Sequence, residues 1–314
     1  MSAFFDPGLI DRAGNGFIRE RAIDDALRKL IPSAHISKGH YSYPSRSELR
    51  DLVWNHMDQN HRPLVHRTYS AASRIFIGEH ASFSLTRFGR WPVVIPVFDC
   101  YFKDNGFYQV MVLFGLIAVV NIITCNSDGA VTRMDIDWAI ASHRWLRFLH
   151  PLLNRRLAKL NEIQNREDGS IRDQRRALRA AGYRFKTDQP NFVNSNVVEN
   201  NTIFPPVSVS GAVALGDLPD QRAVRVPFAE RAFILRRDSH AVDVWPGVCL
   251  HEGANLDAEC IVGTTLKCPW HGLEYGARRL VEGGSGIELC GARLDLAGGQ
   301  VVMRAGTERL SGGR

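Results

Sequence analysis

Cys249-Leu250-His251-Glu252-Gly253 and Cys268-Pro269-Trp270-His271-Gly272-Leu273-Glu274-Tyr275 are the two stretches that decide how this chain is read, and sixteen residues separate His251 from Cys268. Each carries one Cys and one His as a close doublet, and Gly253, Pro269 and Gly272 suit tight loops. Two thiolates and two imidazoles on a pair of loops can hold two irons with unequal ligand sets. They can also make one tetrahedral zinc site. Classical zinc fingers place both Cys before both His, whereas here each doublet mixes the two, which favours the iron pair.

With their flanking residues, the two stretches closely resemble the cluster-binding loops of the Rieske family. In that family two His replace two Cys on one iron of a [2Fe-2S] cluster and raise its reduction potential. The resemblance implies a Rieske cluster held by Cys249, His251, Cys268 and His271.

The chain has 314 residues, enough for two domains with their own cores. Its 45% hydrophobic and 23% charged residues are ordinary for a soluble globular protein. The formal charge is +6, and twelve Lys or Arg fall between Arg144 and Lys186. That segment reads as a solvated helix face or a dock for an acidic redox partner. No nucleic-acid-binding signature accompanies it. Cys100, Cys125, Cys260 and Cys290 form no disulfide framework, and no leader-like segment opens the chain, so a cytoplasmic protein is expected. The strongest apolar run, Val110 to Val120, falls short of the about 20 residues that cross a bilayer and reads as one buried strand.

Residues 1–44 mix short helical patterns, such as Ile18 to Leu30, with polar loops. Ser45 and Glu48 read as a capping box for a helix that runs toward His61 and is stopped by Pro63. Strand patterns cover Phe83 to Phe88, Val93 to Phe102, Phe107 to Thr124 and Val131 to Ile140. A helix restarts at His150-Pro151, repeats Leu152, Leu153, Leu157, Leu160 and Ile163 on one face, and is capped near Gly182. A curved antiparallel sheet followed by a long helix is a helix-grip (START-like) layout enclosing a cavity, and an all-β domain then carries the cluster loops. The fold class is α+β. The expected divisions are 1–190 for the helix-grip domain, 191–220 for a connector, 221–304 for the Rieske domain and 305–314 for a tail.

The second constellation is Asn55-x-x-Asp58-x-x-His61-x4-His66. Two His and one carboxylate on one face of an iron leave positions open for dioxygen and substrate. His61 and His66 would point about 140° apart on one helix and to opposite faces of a strand. They converge only if the chain bends between them, where Pro63 lies. This segment resembles the N-x-x-D-x-x-H-x4-H stretch of the catalytic domain of Rieske non-heme iron oxygenases. The resemblance implies a mononuclear Fe(II) on His61, His66 and a carboxylate from the long helix, where Glu167-Asp168 and Asp173 are candidates. Asp168 lies about 60° from Ile171 on the apolar side, and Asp173 falls opposite, so Asp168 is expected to be the ligand. By the same resemblance Asp58 bridges the two centres, hydrogen-bonding His61 in its own chain and a cluster His, His251 or His271, of a neighbouring chain.

The function implied is a terminal oxygenase fed by a separate NAD(P)H-dependent reductase or ferredoxin, since the chain has no dinucleotide-binding fingerprint. It would hydroxylate, demethylate or desaturate a small organic substrate, expected to be apolar from Val110 to Ile123, Phe98, Tyr101 and Phe107. An electron-transfer or lipid-binding protein with a catalytically silent helix-grip domain is the alternative. Most of the family places the Rieske domain first. Here the order is reversed, which leaves open whether the family's homotrimer forms.

Overall fold

The computed structural model describes residues 20–306 except 79, 91, 103–105, 128–131, 189–196, 198–199 and 229. The start of the Ile18–Leu30 pattern, the first part of the expected connector and most of the expected tail lie outside the described residues. The chain divides into two compact units, Met1–Arg176 with Thr187–Val198, and Ala177–Lys186 with Glu199–Arg314.

The first unit contains α1 (Glu20–Leu30), β1 (His35–Ser45), α2 (Leu49–Met57), α3 (Arg62–Val65) and β2 (Tyr69–Ile77). It continues with β3 (Ala81–Phe88), β4 (Val94–Phe102), β5 (Gly106–Leu113), β6 (Ile117–Ser127), β7 (Thr132–Ser142) and most of α4 (His150–Ala180). The seven strands form one antiparallel sheet in the order β1-β7-β6-β5-β4-β3-β2. Leu52 and Val53 of α2 and Leu153, Leu157 and Ala158 of α4 pack with Phe107, Ile123, Met134 and Ile140 of the sheet in one core. Burying each large apolar side chain there contributes about 1.5–3 kcal/mol. This is a helix-grip fold, and the unit is α+β as expected.

Several local readings are corrected. Residues 35–45, read as polar loop, form the edge strand β1, whose half-buried positions hide the alternation that would mark it. Along β1, Gly39 pairs with Trp138, and an added Cβ would lie 2.2 Å from the indole, so a side chain there would displace the ring. The run Val110 to Val120 is a hairpin, not one strand. Leu113 pairs with Ile117 across a turn in which Phe114 and Gly115 take φ of 53° and 68°. A Phe in left-handed conformation is a turn signal that residue type conceals. Nor does a capping box form: Glu48 is the cap residue of α2 and makes no side-chain cap bond, while Ser45 Oγ accepts from Ser47 N. Helix α2 ends at Met57 and not at Pro63, which instead lies in the first turn of α3, where its missing N–H has no role to lose. Leu152, assigned to the apolar face of α4, is 53% exposed.

The second unit takes the end of α4, which is closed by Gly182 at φ 87° with Tyr183 N donating to Leu178 O. Next come β8 (Arg184–Phe185), β9 (Thr202–Ile203), β10 (Gly211–Ala214), β11 (Ala223–Phe228), β12 (Arg231–Asp238) and β13 (Ala241–Pro246). Then β14 (Ile261–Val262), β15 (Thr265–Lys267), β16 (Glu274–Gly276), β17 (Arg278–Val281), β18 (Ile287–Leu289), β19 (Ala292–Ala297) and β20 (Gln300–Ala305) follow. Two four-stranded sheets, β10-β20-β19-β18 and β11-β12-β13-β17, enclose a core that includes Phe233, Leu235, Val244, Leu294 and Met303. Alternation along β12 turns Ile234 the other way, into a smaller core with Trp245, Leu266, Cys249 and Cys268. Residues from 199 to 220, read as connector, belong to this unit because β10 pairs with β20 and Val207 and Leu218 are buried in its core. Ala305, read as tail, closes β20.

Candidate metal centres

In the second unit the two cluster loops are built alike. Cys249 N donates to Ala254 O and Gly253 N to Cys249 O; correspondingly Cys268 N donates to Leu273 O and Gly272 N to Cys268 O. Gly253 and Gly272 take φ of 79° and 69°, which a side chain would strain, and a Cβ on Gly253 would lie 2.7 Å from Leu178. Both thiols are buried, and the donors sort by type. The Cys268 side chain hydrogen-bonds that of Cys249, while His251 Nδ1 and His271 Nδ1 face each other at 3.3 Å. Two irons with unequal ligand sets require this sorting. The Cys268 hydrogen bond, with help from Tyr275 against the cost of burial, holds the Cys249 thiol below its usual range. Tyr275 Oη lies 3.1 Å from Cys249 Sγ, and buried Glu252 accepts from Asn201 Nδ2 at 2.7 Å. The chemistry of these four donors fits a [2Fe-2S] cluster.

In the first unit, His61 and His66 sit at the two ends of the one-turn helix α3, as its N-cap and C-cap residues. The short helix bends the chain so that their rings approach to 5.1 Å. Asp168, on α4, brings Oδ1 to 3.3 Å from His61 Nε2 and 3.2 Å from His66 Nε2. The donor atoms of the three residues lie within 4.8 Å of one another. Asp168 Oδ1 is buried and lies at ion-pair distance from both rings without reaching good hydrogen-bond geometry to either, so the three groups face one point. That arrangement fits a divalent metal with two imidazoles and one carboxylate.

Each imidazole also meets a carboxylate through its other nitrogen. Asp58 Oδ2 lies 3.4 Å from His61 Nδ1, and Glu167 Oε2 lies 3.0 Å from His66 Nδ1. Asp58 is positioned by the end of α2, where its N–H bonds Trp54 O and its Oδ1 accepts from Asn60 N. Burial alone would lower the His61 pKa, but Asp168 and Asp58 push it up to about 9. Burial would likewise raise the Asp168 carboxyl, and the two imidazoles hold it well below the usual carboxylate range. Asp173 is exposed on the opposite side of α4.

The sequence reading missed the part of Glu167, though the acidic pair it forms with Asp168 was the available signal. It also missed the cavity lining. A cavity at these three residues is lined by Asn55, His56, Gln109, Asn121 and Asn161 beside Ile123 and Met134. The expected apolar pocket is therefore not what fronts the donors. Phe107 and Tyr101 pack in the hydrophobic core instead, and the hairpin register brings polar positions of the supposed apolar run inward.

A helix-grip unit with a two-His, one-carboxylate donor set thus shares the chain with an all-β unit carrying cluster loops. Residues 211–284 match the Rieske [2Fe-2S] domain family, so the chain carries a Rieske domain, an iron–sulfur electron-transfer module with a [2Fe-2S] cluster. A search of curated proteins finds no match. Among solved structures, norcoclaurine synthase from Thalictrum flavum is similar at 13% identity, covering 42% of this chain and 86% of its own, with TM-score 0.34. The Zhui aromatase/cyclase from Streptomyces sp. R1128 is similar at 9% identity over 44% and 97%, with TM-score 0.36. The di-domain aromatase/cyclase StfQ from the steffimycin biosynthetic pathway is similar at 8% over 50% and 57%, with TM-score 0.42. Likeness this distant is no guide to chemistry. No helix among the described residues is long and apolar enough to cross a membrane.

Proposed function

We propose that the protein is the terminal oxygenase of a Rieske-type system, taking electrons from an NAD(P)H-dependent reductase or ferredoxin and oxidising a small organic molecule at a mononuclear Fe(II). The observation that carries this is the convergence of His61 Nε2, His66 Nε2 and Asp168 Oδ1 within 4.8 Å, beside a polar cavity. Bound there, Fe(II) supplies the activation of O2 for substrate oxidation. His61 and His66 would hold the iron as neutral imidazoles, the metal taking the place of the proton that Asp168 otherwise favours on His61, and Asp168 would be the anionic ligand. Asp58 and Glu167 hold the two rings in orientation through their Nδ1 atoms, as carboxylates behind metal-bound imidazoles do. The burial of His61 and His66, 2% and 4% exposed, keeps bulk water from the donors. Asp58 also takes the part the family resemblance gives it, coupling electron delivery to this site.

Iron content tests the proposal. Anaerobically reconstituted protein should hold about three irons per chain, two in the cluster and one mononuclear. The mononuclear iron should give a high-spin signal with nitric oxide. A saturated value of two irons, with a normal Rieske spectrum and no nitric-oxide signal, would overturn the oxygenase assignment.

A further inference from the structure

The cavity at His61, His66 and Asp168 is more polar than oxidation of a hydrocarbon requires. Four of its lining residues are at least nine-tenths buried: Asn55 at 3% exposure, Arg62 at 6%, Asn121 at 4% and Asn161 at 8%. Each keeps a polar atom with no hydrogen-bond partner among the described residues, namely Asn55 Nδ2, Arg62 Nη1, Asn121 Oδ1 and Asn161 Nδ2. Buried polar groups in folded proteins are nearly always paired, so four around one cavity call for a partner that enters it.

The direction in which these groups act is set by the sheet. Ser82, Asp99, Gln109 and Asn121 are cross-strand partners in successive strands β3 to β6, forming one polar row. Asp99 accepts from Arg62 Nη2 at 3.4 Å, from Gln109 Nε2 at 2.8 Å and from Gln59 Nε2. With its amide thus committed, Gln109 offers Oε1, which accepts from Asn121 Nδ2 at 2.8 Å. Asn121 is left with its carbonyl oxygen to offer, while Asn55, Asn161 and Arg62 offer N–H groups. The Arg62 charge is matched by Asp99.

We infer that the substrate is a neutral polar molecule of the lactam, amide or hydroxylated-carbonyl class. It carries at least two oxygen acceptors for Asn55, Asn161 and Arg62 and at least one N–H or O–H for Asn121 Oδ1. This rests on taking the cavity as the substrate site of the proposed oxygenase. Recognition by hydrogen bonding also gives discrimination, because an apolar molecule of the same shape would leave the buried amides unpaired.

Full-length, iron-loaded protein is titrated with two probes of similar size, uracil and toluene, with binding followed by ligand-observed NMR. Uracil should bind and toluene should not. Asn121→Leu on β6 and Asn161→Leu on α4 should each weaken uracil about tenfold and admit toluene. Using two elements guards against one variant failing to fold, and an unchanged Rieske spectrum and circular dichroism qualify each. Toluene binding the parent protein as tightly as uracil, uracil binding unchanged in both variants, or neither probe binding would each overturn the inference. Loss of the uracil preference with three irons present counts against this inference alone. Amide-dependent uracil binding in a protein holding only two irons counts against the oxygenase assignment alone.

Discussion

The cluster loops of the second unit and the donor set of the first gather their residues over different spans of chain. Cys249 and His251 share one tight loop, Cys268 and His271 another, and each loop closes through its own backbone hydrogen bonds. In the first unit His61 and His66 come from the ends of α3, but His66 meets Glu167 across 101 positions of sequence. One centre is a pair of local conformations. The other exists only when α4 lies against the sheet in one phase, with Asp168 turned inward and Asp173 outward. A loop centre should therefore fail by loss of a ligand, and the helix-borne centre also by loss of the groups that aim its ligands.

Cys268→Ser is the severest test of the local centre. It should abolish the Rieske absorption and EPR spectrum outright, because hydroxyl replaces a thiolate ligand. A colourless parent protein with stoichiometric zinc would break the comparison at its root.

Next come His66→Ala and Asp168→Ala, each expected to remove about one iron per chain and all turnover while the cluster spectrum stays intact. Asp173→Ala should do neither. Iron loss in the Asp173 variant but not in the Asp168 variant would show that the wrong helix face had been assigned.

Asp58→Asn keeps the size of the side chain and removes its charge. Iron content and cluster reduction should stay near normal, with product formation lowered about a hundredfold, the upper end for carboxylates behind metal ligands. Rapid-mixing oxidation of the pre-reduced cluster by O2 and substrate is the measurement. An unchanged rate would reduce Asp58 to a helix-capping residue.

The smallest effect is expected from Glu167→Gln. Glu167 is partly open to solvent, at 20% side-chain exposure, so its hold on His66 is weaker. About a tenfold loss of mononuclear-iron affinity in chelator competition is expected. A loss as large as that of Asp168→Ala would make Glu167 a ligand and redraw the donor set.

Both cluster loops were legible from their resemblance to the Rieske family, and the tight turn each makes was legible from Gly253 and Gly272, which take the positive φ the turn needs. The long helix was legible too, from Pro151 at its start and Gly182 past its end. Strand β1 was not, because a half-buried edge strand has little alternation. The β5–β6 hairpin was hidden inside one apolar run by a turn that uses Phe114 where glycine or asparagine would have announced it.

By itself the sequence placed two Cys–His doublets beside glycines, two histidines that need a bend between them and the inward phase of Asp168 on its helix. The bend and the helix phase follow from short-range sterics and periodicity, which act between near neighbours in the chain, whereas reading the doublets as cluster donors rested on their resemblance to the Rieske family. The tertiary structure alone decided that Glu167 backs His66, that Asp99, Gln109 and Asn121 form one row, and that the cavity is polar. Those facts depend on strand register and on the seating of α4. A shift of one residue in register would turn Asn121 to the other face of the sheet, and no short stretch of sequence records which register wins.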